Sequence, residues 1–190
     1  MIWRSIVGAA AIAALGAFAL TAGYGQEGQP KQKGQGQPKA QAQPAAPPKP
    51  WKEAIVGSWS LLISDVVNKD GTQTPQFGPN PMGLLMFDGS GHFSMQIMRA
   101  SLPKFAAKNR LQGTADENKA AIAGTITQFG GYTLDEPSKT LTFRVEGSSY
   151  PNDAGLVLKR TVTALNPGDV LTYNQEAGGN VVMRAWKYMN

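Results

Sequence analysis

Apolar and polar residues alternate in short runs through most of residues 51–190. In Thr140–Ser148, Leu141, Phe143 and Val145 share one side, and Thr142, Arg144, Glu146 and Ser148 share the other. His92–Met98 divides in the same way, with Phe93, Met95 and Ile97 set against His92, Ser94, Gln96 and Met98. A period of two is the mark of a β-strand. Further strands are predicted at Ile55–Val67, Thr72–Gln76, Met82–Phe87, Tyr132–Asp135, Leu156–Leu165, Val170–Asn174 and Val181–Met189. Turn-forming segments separate the runs. Asn68-Lys69-Asp70-Gly71 is the clearest, because Asp-Gly supplies the positive φ of a tight hairpin. Asp88–Gly91, Glu136–Lys139, Asn166–Asp169 and Ala177–Asn180 play the same part.

Eight or nine short strands in succession predict a mainly β domain, a single up-and-down antiparallel barrel. The middle of the chain breaks the pattern. Ser101–Leu111 has room for a short helical turn near Pro103. Thr114-Ala115-Asp116-Glu117 is a capping box, and Ile122, Ile126 and Phe129 follow at helical spacing. One amphipathic helix is therefore expected from Ala115 to about Gln128, ended by Gly130-Gly131 and lying against the barrel or across one mouth.

The first 50 residues have a different composition. Arg4, the apolar stretch Ser5–Leu20 and the small residues before Gly25 read as a signal peptide over residues 1–25. Its apolar run is shorter than the ~20 residues of a spanning helix. Residues 26–50 are built from Gln, Gly, Pro, Lys and Ala, which cannot bury enough surface to order a chain. They are expected to form a disordered linker, whose lysines could make a weak contact with an anionic surface. Export, to the periplasm or the medium, is the expected localisation.

Charge changes the picture in one respect. The net charge is +5, but residues 51–190 carry 13 basic and 12 acidic side chains. The domain is close to neutral, so no nucleic-acid face is expected on it. There is no cysteine and a single histidine, His92. Thiolate and histidine-rich metal clusters are excluded, no metal or cofactor is expected, and disulfides cannot contribute. No Gly-x-Ser-x-Gly elbow accompanies His92.

The candidate chemistry rests on a few polar residues. Leu156, Leu158, Arg160 and Val162 fall on one side of a strand, which sets Arg160 in an apolar row. A buried arginine needs a partner. Glu146 or the ring of Trp59 is expected to provide it. Arg184 lies in a similar row with Val182, Trp186 and Tyr188. Glu146, if desolvated, could act as a general base beside Tyr132 or Arg160.

Several blocks together resemble the bacterial and fungal lipocalin-like domain proteins. These are Gly57-Ser58-Trp59, Phe77-Gly78-Pro79-Asn80-Pro81-Met82-Gly83, Ser94-Met95-Gln96, and Phe129-Gly130-Gly131-Tyr132. Val145-Glu146-Gly147-Ser148, Pro151-Asn152 with Gly155 and Arg160, and the closing Trp186-Lys187 complete the set. The resemblance spans nearly all of residues 51–190. Where members of that family often carry histidines before the Val-Glu-x-Ser motif, this chain has Thr142 and Arg144. The resemblance implies a small calycin-like barrel in which Trp59 plugs the closed end, with a late basic residue, Arg184 or Arg160, stacked on it. The expected function is an exported protein binding a small, largely apolar molecule in its barrel, oriented by Gln96, Tyr132, Glu146, Asn152 and Arg160. The alternatives are a small-molecule isomerase or cyclase using Glu146 as base, and a structural or tethering module acting through the tail.

Overall fold

The structure, a computed structural model, describes residues 49–190. The expected signal peptide and nearly all of the expected linker lie outside the described residues. From Trp51 the chain forms a short helix α1 (Trp51–Ala54), then strands β1 (Gly57–Val67), β2 (Gln73–Pro75), β3 (Met82–Phe87) and β4 (His92–Met98). A helix α2 (Ala115–Ala123) precedes β5 (Thr125–Asp135), β6 (Thr140–Ser148), β7 (Val157–Asn166), β8 (Val170–Ala177) and β9 (Asn180–Tyr188).

Every pairing is antiparallel. β1 and β3 to β9 each lie beside the next, and β9 returns to β1 from Trp59↔Tyr188 to Val67↔Val181, closing a barrel of eight strands. β2 is a ninth, short strand paired with the last residues of β1. The up-and-down order follows from the tight turns, which can only join antiparallel neighbours.

α1 lies at one end of the barrel. Trp59 is fully buried there, its indole N–H donating to the Ile55 carbonyl at 2.8 Å, and the Tyr188 ring meets it edge-on at 5.0 Å. Gly57 makes this possible. Its φ is +135°, and a Cβ at that position would lie 2.6 Å from the Tyr188 ring. The glycine of the Gly-x-Trp step thus gives Tyr188 its seat.

The apolar side of each of the eight barrel strands faces inward, and the lumen is filled. Trp59, Leu85, Met95, Phe143, Leu171, Tyr173 and Trp186 are all 0 % exposed. A side chain facing a void large enough for water would retain accessible surface, so these residues meet one another. An eight-stranded barrel has an interior of just the width that side chains can fill.

The helix departs from expectation. The capping box forms, with Thr114 Oγ1 accepting from the Glu117 N–H at 3.2 Å and Glu117 Oε2 accepting from the Thr114 N–H at 2.8 Å. But the helix ends at Ala123, capped by Gly124, and buries none of its residues; Ile122 is 62 % exposed. Ile126 and Phe129 belong to β5 instead. The β-branched run Thr125-Ile126-Thr127 favours extended backbone, and β4 offers it a ladder from Met98↔Thr125 onward. Gly130 and Gly131 therefore stand inside a strand. Gly130 (φ +153°) sits at a bulge, where a Cβ would lie 2.1 Å from the Arg144 carbonyl oxygen. The helical turn expected near Pro103 falls later, as a 3₁₀ turn at Arg110–Gln112.

Gly57→Ala should destabilise the domain by about 2 kcal/mol or more, since it adds a clash with Tyr188 to an unfavourable φ. Gly71→Ala, with φ +83° but open space around it, should cost only about 1 kcal/mol. Urea denaturation of the two variants checks this; equal losses would show that the Tyr188 contact is unimportant.

Candidate functional site

The five polar residues proposed for ligand contact are not brought together. Gln96 and Glu146 lie on the outer faces of β4 and β6, and Asn152 is exposed in a 3₁₀ turn, Pro151–Asp153. Tyr132 is half-buried near the α1 end, where its hydroxyl donates to the Asp88 carbonyl at 2.8 Å and its ring meets Phe87 at 4.7 Å. Burial, with the Asp88 charge second, raises the Tyr132 pKa. The single histidine belongs to an exposed turn. His92 Nδ1 faces both Ser90 Oγ (3.1 Å) and Asp88 Oδ2 (3.2 Å). Both contacts use one ring nitrogen, so this is turn chemistry and no proton relay runs through the ring.

Arg160 alone of the five reaches the interior. It is 2 % exposed, in the row with buried Val162 that the strand period sets up. Its partners differ from those expected. Glu146 points to solvent and Trp59 packs on Tyr188. Instead, the guanidinium lies over the Phe143 ring at 4.1 Å and the Tyr173 ring at 5.0 Å. Nη1 donates to the Tyr173 hydroxyl at 3.1 Å and faces Met95 Sδ at 3.9 Å, and Nη2 donates to Gln128 Oε1 at 3.3 Å. Gln128 in turn donates through Nε2 to Asp153 Oδ2 at 2.7 Å. A neutral amide thus stands between the buried cation and the carboxylate. Burial pushes the Arg160 pKa down to about 10, against opposing help from Tyr173 and Asp153, while the Arg184 charge lowers it further.

Arg184 has a different place. It is 4 % exposed on β9, paired with Ser64 five residues along β1 from Trp59, or ~16 Å at strand rise. It therefore does not stack on Trp59. All three of its nitrogens are satisfied: Nε donates to Ser64 Oγ (3.2 Å), Nη1 to Gln175 Oε1 (3.3 Å) and Nη2 to Gln76 Oε1 (3.2 Å). It clamps β9 to β1, to β8 and to the segment after β2. Among the described residues no carboxylate lies within salt-bridge distance of Arg160 or Arg184, so both buried arginines are held by neutral groups.

Arg160 also stands at a fork. The β7–β8 ladder ends at Thr161↔Asn174. Beyond it, β7 continues against β6 and β8 against β9. The fork holds a cleft of about 510 Å³ lined by Thr140, Lys159, Arg160, Thr161, Asn174, Glu176 and Val181. Arg160 Nε and Asn174 Oδ1 are buried and meet no hydrogen-bond partner among the described residues. Arrested pairing leaves the cleft beside this buried arginine; Arg99 Nε and Trp186 Nε1 are likewise buried without a partner elsewhere in the domain.

Sequence reasoning missed Gln128, Tyr173, Met95 and Phe143 as the arginine's surroundings. Tyr173 and Phe143 carried a usable signal, since each shares strand parity with apolar residues. Gln128 carried none, because the helical spacing drew it into the wrong element.

A sequence model of the lipocalin-like domain matches residues 56–185. No curated protein matches the chain. Two solved structures resemble it at 12% identity. One is a redesigned β-barrel, covering 73% of this chain and 94% of its own, with TM-score 0.37. The other is a de novo designed fluorescence-activating β-barrel, covering 73% and 96%, with TM-score 0.38.

The two arginines should respond differently to Met. Arg184→Met removes three hydrogen bonds that tie β9 to β1, to β8 and to the segment after β2, and should cost about 2 kcal/mol. Arg160→Met removes a cation that burial disfavours but leaves the buried Tyr173 hydroxyl and Gln128 Oε1 without their donor; the two effects oppose, so the loss should be smaller than for Arg184→Met, about 1 kcal/mol. The Arg160 pKa is lower folded than unfolded, so the parent gains stability as pH rises above about 10, where the folded form has lost its proton and the unfolded chain still holds it. The loss in Arg160→Met should widen over that range. Thermal unfolding against pH reads both effects; a large loss for Arg160→Met at neutral pH would make Arg160 a structural residue.

Proposed function

Since this chain belongs to the lipocalin-like domain family, we propose that it binds a small organic molecule, held in the fork between β7 and β8 against Arg160. The observation that carries this reading is Arg160 itself. It is buried without an acid and incompletely hydrogen-bonded, and it stands on the wall of a cleft large enough for a small metabolite. The filled lumen supports the fork over a hollow barrel as the seat of the ligand. The lining of the cleft is mostly hydroxyl, amide and charged groups, which favours a polar ligand over a largely apolar one. Glu146, exposed on the outer face of β6, gives no comparable support to an isomerase or cyclase.

Native mass spectrometry of the full chain purified from its own host tests this reading. A small-molecule adduct is expected in the parent. It should be lost in Thr161→Trp, which fills the cleft from an exposed position and leaves the core untouched. A clean unliganded mass, or an adduct that survives Thr161→Trp, would contradict it.

We also propose export, read from residues 1–25, with residues 26–50 as a spacer. Intact mass after fractionation of the host should show a chain shortened near Gly25 outside the cytoplasm. Full-length protein confined to the cytoplasm would overturn this.

A further inference from the structure

We infer that the molecule bound at the β7–β8 fork carries an oxyanion, a carboxylate or a phosphate, that pairs with Arg160. This rests on the placement of the ligand in that cleft and adds its chemical class. A guanidinium withdrawn from water needs either a counter-charge or a full set of acceptors. Arg160 has neither: two aromatic rings, a phenol and one amide oxygen surround it, and its Nε–H faces no acceptor among the described residues.

The charges around it sharpen the point. Arg184 is a second cation buried in the same barrel, each of its three nitrogens already hydrogen-bonded to a neutral group, and its charge opposes that on Arg160. Lys159 adds a third positive charge at the cleft, against Glu176 as the one carboxylate in its lining. Asp153, the nearby half-buried acid of the 3₁₀ turn, spends an oxygen on Gln128. An incoming monoanion is therefore the missing complement, and a planar oxyanion suits the donor fork of an arginine. Thr140, Thr161 and Asn174 offer hydrogen bonds to the rest of such a molecule, so a small hydrophilic acid fits better than a long-chain one.

The test uses the full chain labelled with ¹⁵N, following the Arg160 Nε–H resonance and the amides of Thr161 and Asn174. Acetate is titrated against acetamide, its neutral counterpart of similar shape, with inorganic phosphate in a third arm. Acetate should shift these signals saturably, about tenfold more tightly than acetamide, as expected for a charge-assisted bond against a neutral one. The response of the two amides should vanish in Arg160→Met. Tighter binding of phosphate than acetate would assign the oxyanion to a phosphate group; the reverse would assign it to a carboxylate.

Equal responses to acetate and acetamide would overturn the oxyanion while leaving the cleft as a polar binding site. Unsaturated shifts spread over surface lysines would mean an adventitious ion only, and would overturn it too. A saturable acetate response at Arg160 that persists in Thr161→Trp would keep the oxyanion but remove the cleft as its seat.

Discussion

Closure of β1 onto β9 fixes nearly everything else in this domain. Once eight strands meet in a ring, the lumen has a set width, and every inward residue must share it. Two tryptophans, Arg160, Tyr173 and Phe143 are the largest of the fully buried side chains. At the α1 end Trp59, Ile55 and Tyr188 pack together, which requires a glycine at position 57. What room is left to the two arginines is defined by what surrounds them. Each must find its hydrogen bonds from fixed neighbours.

The two cations meet that constraint in opposite ways. Arg184 is a tie between strands: three nitrogens, three side-chain oxygens, and three separate stretches of chain joined. Arg160 keeps a nitrogen unused at a point where strand pairing stops. The desolvation of its guanidinium is offset only in part by aromatic faces and two neutral acceptors. Arg160 is thus a buried cation with an unused donor beside a cleft.

The fold was legible in the sequence where periodicity and turn chemistry agreed. The alternation in β4 and β6 and the Asp-Gly hairpin after β1 placed the strands and the turn between them. The helix was misjudged at its end because Ile122, Ile126 and Phe129 mimic helical spacing, whereas a β-branched run following Gly124 decides for a strand once β4 is available to pair with it. The site was legible only in part. Strand parity put Arg160 inside, but parity says nothing about which neighbours lie across a lumen. Phe143, Tyr173 and Gln128 come from three different strands, and their convergence is a product of barrel shear. Residues picked for polarity alone, Gln96 and Glu146, fell on the outer face.

The most direct test of the account is a crystal structure of the full chain purified from its own host, read at the Arg160 side chain. The account predicts density for a bound molecule with an oxygen within hydrogen-bond reach of Arg160 Nε. Asp153 moved into direct contact with Arg160, closing an internal ion pair and filling the fork, would contradict it: the arginine would then belong to the fold alone.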